Sequence, residues 1–197
     1  MALFLNDDKG LPFGGFRRLD NWLKTRNKRL LFAVNAGMYH ANFAPVGLLV
    51  QDGKEVAPLN LDDGVGNFFL KPNGVFLIGK GGPRVVASPE YAALSKGVRL
   101  ATQSGPLLLQ NGRIHPAFNP ASNSRHIRNG VGVVGNKAVF VISNHAVTFH
   151  EFAVFFRDTL KCRDALYLDG SVSSLFSKEL GRHDAAAQLG PILGVAE

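Results

Sequence analysis

The chain has 197 residues, of which 46% are hydrophobic and 19% charged, and its formal net charge is +7. This length predicts one domain, and the composition is typical of a folded globular protein rather than a disordered one. No apolar run approaches the roughly 18 residues of a membrane-spanning helix. The single cysteine, Cys162, excludes an intrachain disulfide and a cysteine-based zinc site.

The excess of basic residues favours anionic partners such as phosphate esters or acidic glycans. A solvated helix face accounts for the densest part of this charge, and no aromatic-rich β platform accompanies it, so nucleic acid is an unfavoured partner. The basic residues of that segment are Arg17, Arg18, Lys24, Arg26, Lys28 and Arg29.

The first elements are a strand and a helix. Residues 2–5 are apolar from the outset and indicate a strand already under way, so we expect upstream sequence in the full protein. Phe16, Leu19 and Leu23 recur at helical spacing and predict a helix over 14–27.

Hairpins dominate the middle of the chain. A continuous apolar run over 30–34 predicts a buried strand that ends at Asn35. Beyond it, Asp-Gly, Asn-Gly and Gly-Asn pairs supply the positive φ that two-residue hairpin turns require. The predicted strand pairs are 47–51 with 54–58, 74–78 with 84–87, and 131–134 with 138–142, and a strand over 106–110 precedes the Asn111-Gly112 turn.

A second helix is predicted over 148–160, because Thr148 and Glu151 have the spacing of a capping box and an apolar stripe follows them. A strand over 165–168 comes next. This order predicts one α+β domain over residues 1–197, with a mostly antiparallel or mixed β-sheet, hairpins and at least two packed helices.

Several familiar motifs occur in the wrong context. The glycines between Gly130 and Gly135 match a dinucleotide fingerprint but run through a strand into a hairpin. His150-Glu151 begins a zinc-protease motif, but Val154 stands where the second histidine is needed. The sequence therefore predicts no cofactor and no metal ligands, and it leaves a need for a divalent metal open.

Polar side chains stand where the predicted strands begin or end. A strand end is a rigid support from which a loop carries polar groups into a pocket. The run 165–168 stops at Asp169-Gly170, and hydroxyls follow at once. The other candidates at element ends are Asn35, Ser104, Arg125, Arg128, Ser173 and Ser174.

These blocks, in this order, resemble the phosphodiester glycosidase family over residues 30–174. The chain departs from the family pattern at Ala36 and Ser171, where the family has glycine. The matching blocks are Asn35-Ala36-Gly37, Pro45-Val46-Gly47, Gly105-Pro106-Leu107-Leu108, Arg128-Asn129-Gly130-Val131-Gly132, Glu151 and Leu168-Asp169-Gly170-Ser171-Val172-Ser173.

The resemblance implies cleavage of a sugar-1-phosphodiester at the glycosidic bond. A phosphate needs charge stabilisation as it leaves, which arginine supplies through its planar fork. A carboxylate stabilises or attacks the developing oxocarbenium carbon, or activates water. We expect Arg128, with Arg125, to hold the phosphate, and Asp169 to act at the sugar carbon with Glu151 as its partner. Substrate contacts are expected from Asn35, Ser104, Gly170, Ser173 and Ser174.

Structural roles compete with these at every position. Asp169 fits an Asp-Gly turn, Glu151 fits the capping box, and Arg128 fits a solvated strand entry. A non-catalytic module that binds phosphorylated or acidic glycans is the alternative function. The sequence leaves the compartment and the oligomeric state open, although the family resemblance favours an exported or periplasmic protein.

Overall fold

The structure, a computed structural model, describes residues 1–197 and is built mainly from strands. Its strands are β1 (Ala2–Phe4), β2 (Leu30–Asn35), β3 (Leu49–Gln51), β4 (Lys54–Ala57), β5 (Gly74–Gly79), β6 (Gly82–Ala87), β7 (Val98–Ser104), β8 (Leu107–Gln110), β9 (Arg113–Ile114), β10 (Asn129–Val134), β11 (Lys137–Ile142), β12 (Asp164–Tyr167), β13 (Leu175–Ser177), β14 (Arg182–His183) and β15 (Ile192–Ala196). Its α-helices are α1 (Phe16–Lys24), α2 (Tyr91–Leu94) and α3 (Phe149–Val154).

The strands form three five-stranded sheets in which every pairing is antiparallel. The first sheet has the order β1-β15-β2-β13-β14, the second β11-β10-β12-β8-β9, and the third β4-β3-β7-β5-β6. The α+β class and the predominance of antiparallel hairpins are thus confirmed. All of the predicted hairpin turns join neighbouring strands of one sheet.

One hydrophobic core joins the three sheets. Leu193 of the first sheet, Leu166 of the second and Phe76 of the third belong to the same cluster of buried side chains. Each is completely buried, so the sheets pack face to face through their apolar residues. This shared core fixes the strand ends of different sheets relative to one another.

The first predicted helix is shorter than expected, whereas the second has nearly the expected length but changes helix type. Helix α1 begins at Phe16 because Gly14 has a φ of 63°, and it ends at Lys24, with Asn27 left-handed shortly afterwards. Helix α3 ends at Val154 and continues as a π-helix, Phe155–Thr159. The sequence pattern predicts one continuous α-helix here, whereas the backbone changes from an α-helix to the wider π-helix after Val154.

Strand ends from two sheets converge at one point. Strand β12 pairs with β10 in the second sheet, and β2 pairs with β13 in the first. Beyond these pairings, the amide of Asp169 donates to the carbonyl of Ala36 at 3.1 Å, and the amide of Leu168 donates to that of Asn129 at the same distance. Hydrogen bonds therefore join the end of β2, the start of β10 and the end of β12.

Candidate active site

Asp169 lies two residues beyond β12, at this junction, and its residue is only 9% exposed. Its Oδ1 accepts hydrogen bonds from the Ser171 hydroxyl at 2.6 Å and the Ser171 amide at 3.2 Å. Ser171 thus fixes the carboxylate from its own loop. Because no protein group donates to Oδ2, that oxygen is free for a ligand.

Buried asparagine side chains hold the backbone of Asp169 in place. Asn35 donates through Nδ2 to the Asp169 carbonyl at 2.7 Å, and its Oδ1 accepts from Asn129 Nδ2 at 2.8 Å and the Ser174 amide at 2.9 Å. Ser173 Oγ donates to Asn129 Oδ1 at 3.1 Å. We call Asn35, Asn129, Ser173 and Ser174 the amide cluster. It is a network of neutral hydrogen bonds between three strand ends.

Arg128 is buried beside this cluster, with 2% of its surface exposed. Its guanidinium lies 3.6 Å from the centroid of the Phe149 ring. Its Nε donates to the carbonyl of Val147 at 2.9 Å and its Nη2 to that of Ser124 at 3.2 Å, while Nη1 reaches Tyr167 Oη at 3.5 Å. A guanidinium has five N–H groups, so two have no hydrogen-bond acceptor within the protein.

The Phe149 ring is part of a longer column. Phe118 stacks on Phe149 with ring centroids 4.9 Å apart, and His115 stacks on Phe118 at 4.7 Å. We call His115, Phe118, Phe149 and the guanidinium of Arg128 the aromatic stack. Burial lowers the pKa of His115, and the nearby backbone of Lys71 and Leu70 opposes this shift. The stack holds a cation against ring faces.

Tyr167 joins the two sides of the site. Its hydroxyl accepts from Arg128 and lies against the backbone of Gly170. Burial raises the pKa of Tyr167, and the nearby Arg128 opposes this shift. The close approach leaves no room for a side chain at Gly170, which explains the glycine there. Burial also raises the pKa of Tyr39, and the Asp169 charge adds to that shift.

Glu151 and Arg125 form an exposed ion pair at the start of α3. Arg125 Nη2 lies 2.6 Å from Glu151 Oε1, and Nη1 lies 2.9 Å from Oε2. Glu151 Oε2 also accepts from the Thr148 amide at 3.0 Å, so the predicted capping box is present. This backbone hydrogen bond, followed by Arg125, lowers the pKa of Glu151. Neither oxygen contacts Asp169 or the amide cluster.

The predicted site residues thus fall into separate groups. Asn35, Gly170, Ser173 and Ser174 gather around Asp169, and Arg128 reaches this group through Tyr167. Arg125 and Glu151 bind each other. Ser104 is fully buried at the end of β7, and its hydroxyl has no hydrogen-bond partner. Their functional roles stay predictions.

Two further residues of the site, Asn129 and Tyr167, were not singled out from the sequence. Both were available there, since Asn129 follows Arg128 in its block and Tyr167 precedes the Leu168-Asp169 pair. Their buried polar groups matter only through long-range partners, which a local pattern does not reveal. The loop from Gly170 to Ser174 also lines an open groove of about 790 Å³.

No group of three or more histidine, cysteine, aspartate and glutamate side chains is arranged to hold a metal ion. None of the helices combines the length and apolar character that crossing a membrane requires.

Sequence comparison assigns the chain to a family. The phosphodiester glycosidase family model matches residues 28–195, which include every candidate site residue. The chain therefore belongs to the phosphodiester glycosidase family. It is 40% identical over 148 residues to the uncharacterized protein YigE of Escherichia coli K12. That match covers 74% of this chain and 58% of YigE, so the chain spans little more than half of that relative's length.

Solved structures share the fold. The catalytic domain of zebrafish N-acetylglucosamine-1-phosphodiester alpha-N-acetylglucosaminidase, auto-inhibited by its pro-peptide, matches with a TM-score of 0.64 and 17% identity, over 98% of this chain and 72% of that one. A hypothetical protein from Synechocystis matches with a TM-score of 0.57 and 15% identity, over 99% of this chain and 56% of that one. At these identities the likeness concerns the fold.

Proposed function

We propose that this protein hydrolyses a sugar-1-phosphodiester at the bond between the anomeric carbon and the phosphate oxygen. Family membership supports this class of reaction. The observation that carries it is the Asp169 carboxylate, which is almost buried, fixed through Oδ1 and free at Oδ2, and which is followed by a loop, 170–174, that lines a groove. Such a fixed carboxylate suits an oxocarbenium-like transition state.

Asp169 acts at the sugar carbon in this proposal. As the C1–O bond to phosphate breaks, positive charge grows on the ring, and the carboxylate stabilises it, attacks it, or takes a proton from the incoming water. The water oxygen ends on C1 and the phosphate leaves with the bonding electrons. Because a phosphate is a good leaving group, this step needs little help from a general acid.

Arg128 and Arg125 supply positive charge for the phosphate. Arg128 has two N–H groups without protein acceptors, and its guanidinium is held over the Phe149 ring. Glu151 orients Arg125 through two hydrogen bonds. A second carboxylate function for Glu151, as the partner of Asp169, stays a prediction. Asn35, Ser173 and Ser174 hold the loop that follows Asp169. Ser173 and Ser174 also contact the substrate in this proposal.

The test is Asp169→Asn, assayed for release of free sugar from hexose-1-phosphomethyl diesters. An amide oxygen still accepts from Ser171, so the fold is kept while the negative charge is lost. We expect turnover to fall by about 1,000-fold or more. Asp158→Asn, at an exposed aspartate beyond α3, is the matched control and keeps activity.

Full activity of the Asp169 variant contradicts the proposal. If the wild-type protein binds the diesters in calorimetry and releases no sugar, the chain is instead a module that binds phosphorylated glycans. The exposed basic residues are compatible with both outcomes, whereas the constrained carboxylate favours chemistry.

A further inference from the structure

The groove beside the Asp169 loop has its own arrangement of polar groups. One wall is the loop from Gly170 to Ser174, and the facing wall runs from Arg182 to Ala187. Ile127, Ser143 and Asn144 complete the lining. The proposed chemistry assigns no role to the second wall.

Arg182 is the only lysine or arginine in this lining, and it is fixed on two sides. Its Nε lies 3.1 and 3.0 Å from the two carboxylate oxygens of Asp184, and its Nη2 lies 2.9 Å from Asp184 Oδ2. Its Nη1 donates to Asn144 Oδ1 at 3.1 Å. The side chains of Arg182 and Asp184 are 30% and 28% exposed, so the ion pair is fixed in place and still accessible to a ligand.

This wall is tied directly to the amide cluster. Two consecutive backbone amides, those of Ser174 and Leu175, donate to Asn35 Oδ1 at 2.9 Å and to Asp184 Oδ2 at 3.0 Å. Asn35 in turn holds the carbonyl of Asp169. The position of Arg182 relative to the Asp169 loop is therefore set by a short chain of hydrogen bonds rather than by a flexible side chain.

The polar groups of the groove suit a neutral ligand with many hydroxyls. The charges of Arg182 and Asp184 cancel, so the pair attracts phosphate less than an unpaired arginine does. Two N–H groups of Arg182 and the amide N–H groups of Asn144 remain without protein acceptors. Small apolar surfaces, from Ile127 and the alanines after Asp184, lie among them.

We propose that this groove is the binding subsite for the sugar ring, and that Arg182 and Asn144 determine which sugar is accepted. Ring hydroxyls, or an acetamido oxygen, accept hydrogen bonds from their N–H groups, and Asp184 accepts from a neighbouring hydroxyl. The C–H face of the ring packs on the apolar surfaces. The phosphate then lies on the Arg128 side of Asp169. This inference rests on the proposed hydrolase function.

The test compares two series of substrates. One series varies the sugar of a hexose-1-phosphomethyl diester among glucose, galactose, mannose and N-acetylglucosamine; the other keeps the best sugar and exchanges methyl for glyceryl or phenyl. The variants are Asn144→Ala and Arg182→Lys. The lysine keeps the positive charge of Arg182 and lacks its planar guanidinium. The matched controls are His145→Ala, next to Asn144 but outside the groove, and Arg157→Lys, in an exposed arginine–aspartate pair.

We expect each groove variant to reduce the ratio of kcat/KM between the best and the worst sugar by about tenfold, the size of one lost hydrogen bond to a charged or fixed polar group. The ratios among methyl, glyceryl and phenyl diesters stay unchanged, and the controls match the wild type. A shift in the second series alone places the leaving alcohol in the groove and overturns the inference. No shift in either series also overturns it.

Binding of free monosaccharides separates this inference from the hydrolase function. If the wild-type protein turns over no diester, saturation-transfer NMR still reports whether those same four sugars bind. Binding that is lost in the Asn144→Ala and Arg182→Lys double variant supports the sugar subsite while the hydrolase proposal fails. Absence of sugar binding to the wild-type protein overturns the subsite as well.

Discussion

The two sides of Asp169 are held by different physical means. On one side, the amide cluster joins strand ends through neutral hydrogen bonds between buried groups. On the other side, the aromatic stack holds the charge of Arg128 against the face of Phe149. Hydrogen bonds alone hold the carboxylate side, so removing one partner leaves other buried groups unpaired. Arg128 is held by three hydrogen bonds as well as by the ring face, so the loss of one kind of contact leaves the other in place.

The largest expected effect on stability comes from Asn35→Ala. The substitution leaves the Asp169 carbonyl, the Ser174 amide and the Asn129 side chain without their partner. Because each buried unpaired group is costly, we expect the free energy of unfolding to fall by about 3 kcal/mol. Urea denaturation measures this. Asn21→Ala, on the exposed face of α1, is the control and changes it by less than about 0.5 kcal/mol. An equal effect of the two variants contradicts the importance of the amide cluster.

A second prediction contrasts the two carboxylates. Glu151→Gln keeps an oxygen for the Thr148 amide and removes the charge that orients Arg125. We expect turnover of the diester to fall about tenfold, the loss of one charged hydrogen bond, and much less than in Asp169→Asn. Steady-state kinetics of the two variants, side by side, measure the difference. If both lose turnover equally, two acids share the chemistry and Glu151 is catalytic.

The smallest effect concerns the far end of the aromatic stack and depends on pH. Burial lowers the pKa of His115 in the folded protein, so the unfolded chain binds a proton first as the pH falls. The contribution of His115 is complete above its unfolded pKa of about 6.5 and decreases as the pH falls from there towards the folded pKa. His115→Asn keeps an acceptor for the Ala117 amide and removes this dependence.

Thermal unfolding of both proteins between about pH 7.5 and pH 5 measures this contribution, over the window below the unfolded pKa of histidine. We expect the wild-type midpoint to fall further than that of the variant across this range. Parallel curves contradict the expected titration of His115.

Local interactions in this protein are readable from its sequence. The capping box of Thr148 and Glu151 and the glycine-containing hairpin turns depend on residues a few positions apart, and each forms as the pattern indicates. The placement of Asp169 beyond a buried strand follows in the same way from an apolar run that stops. The π-helix after α3 was missed because its apolar side chains fit an α-helical period equally well.

Long-range interactions account for what the sequence does not reveal. Arg128 looks like a charged strand entry, yet Phe149 and carbonyls from other segments bury its guanidinium. No sequence pattern indicates a role for Arg182, because its contacts with Asp184 and Asn144 form only in the folded chain. Such roles depend on partners brought together by the sheets, which spacing along the chain does not encode.

In the proposed reaction a carboxylate assists cleavage at the sugar carbon rather than at phosphorus. Hydrolysis of a hexose-1-phosphomethyl diester in water enriched with oxygen-18 tests it most directly, with mass spectrometry of both products. We expect methyl phosphate to carry no label, because the water oxygen enters at C1 of the sugar. Label in the phosphate product shows attack at phosphorus and contradicts the proposed reaction.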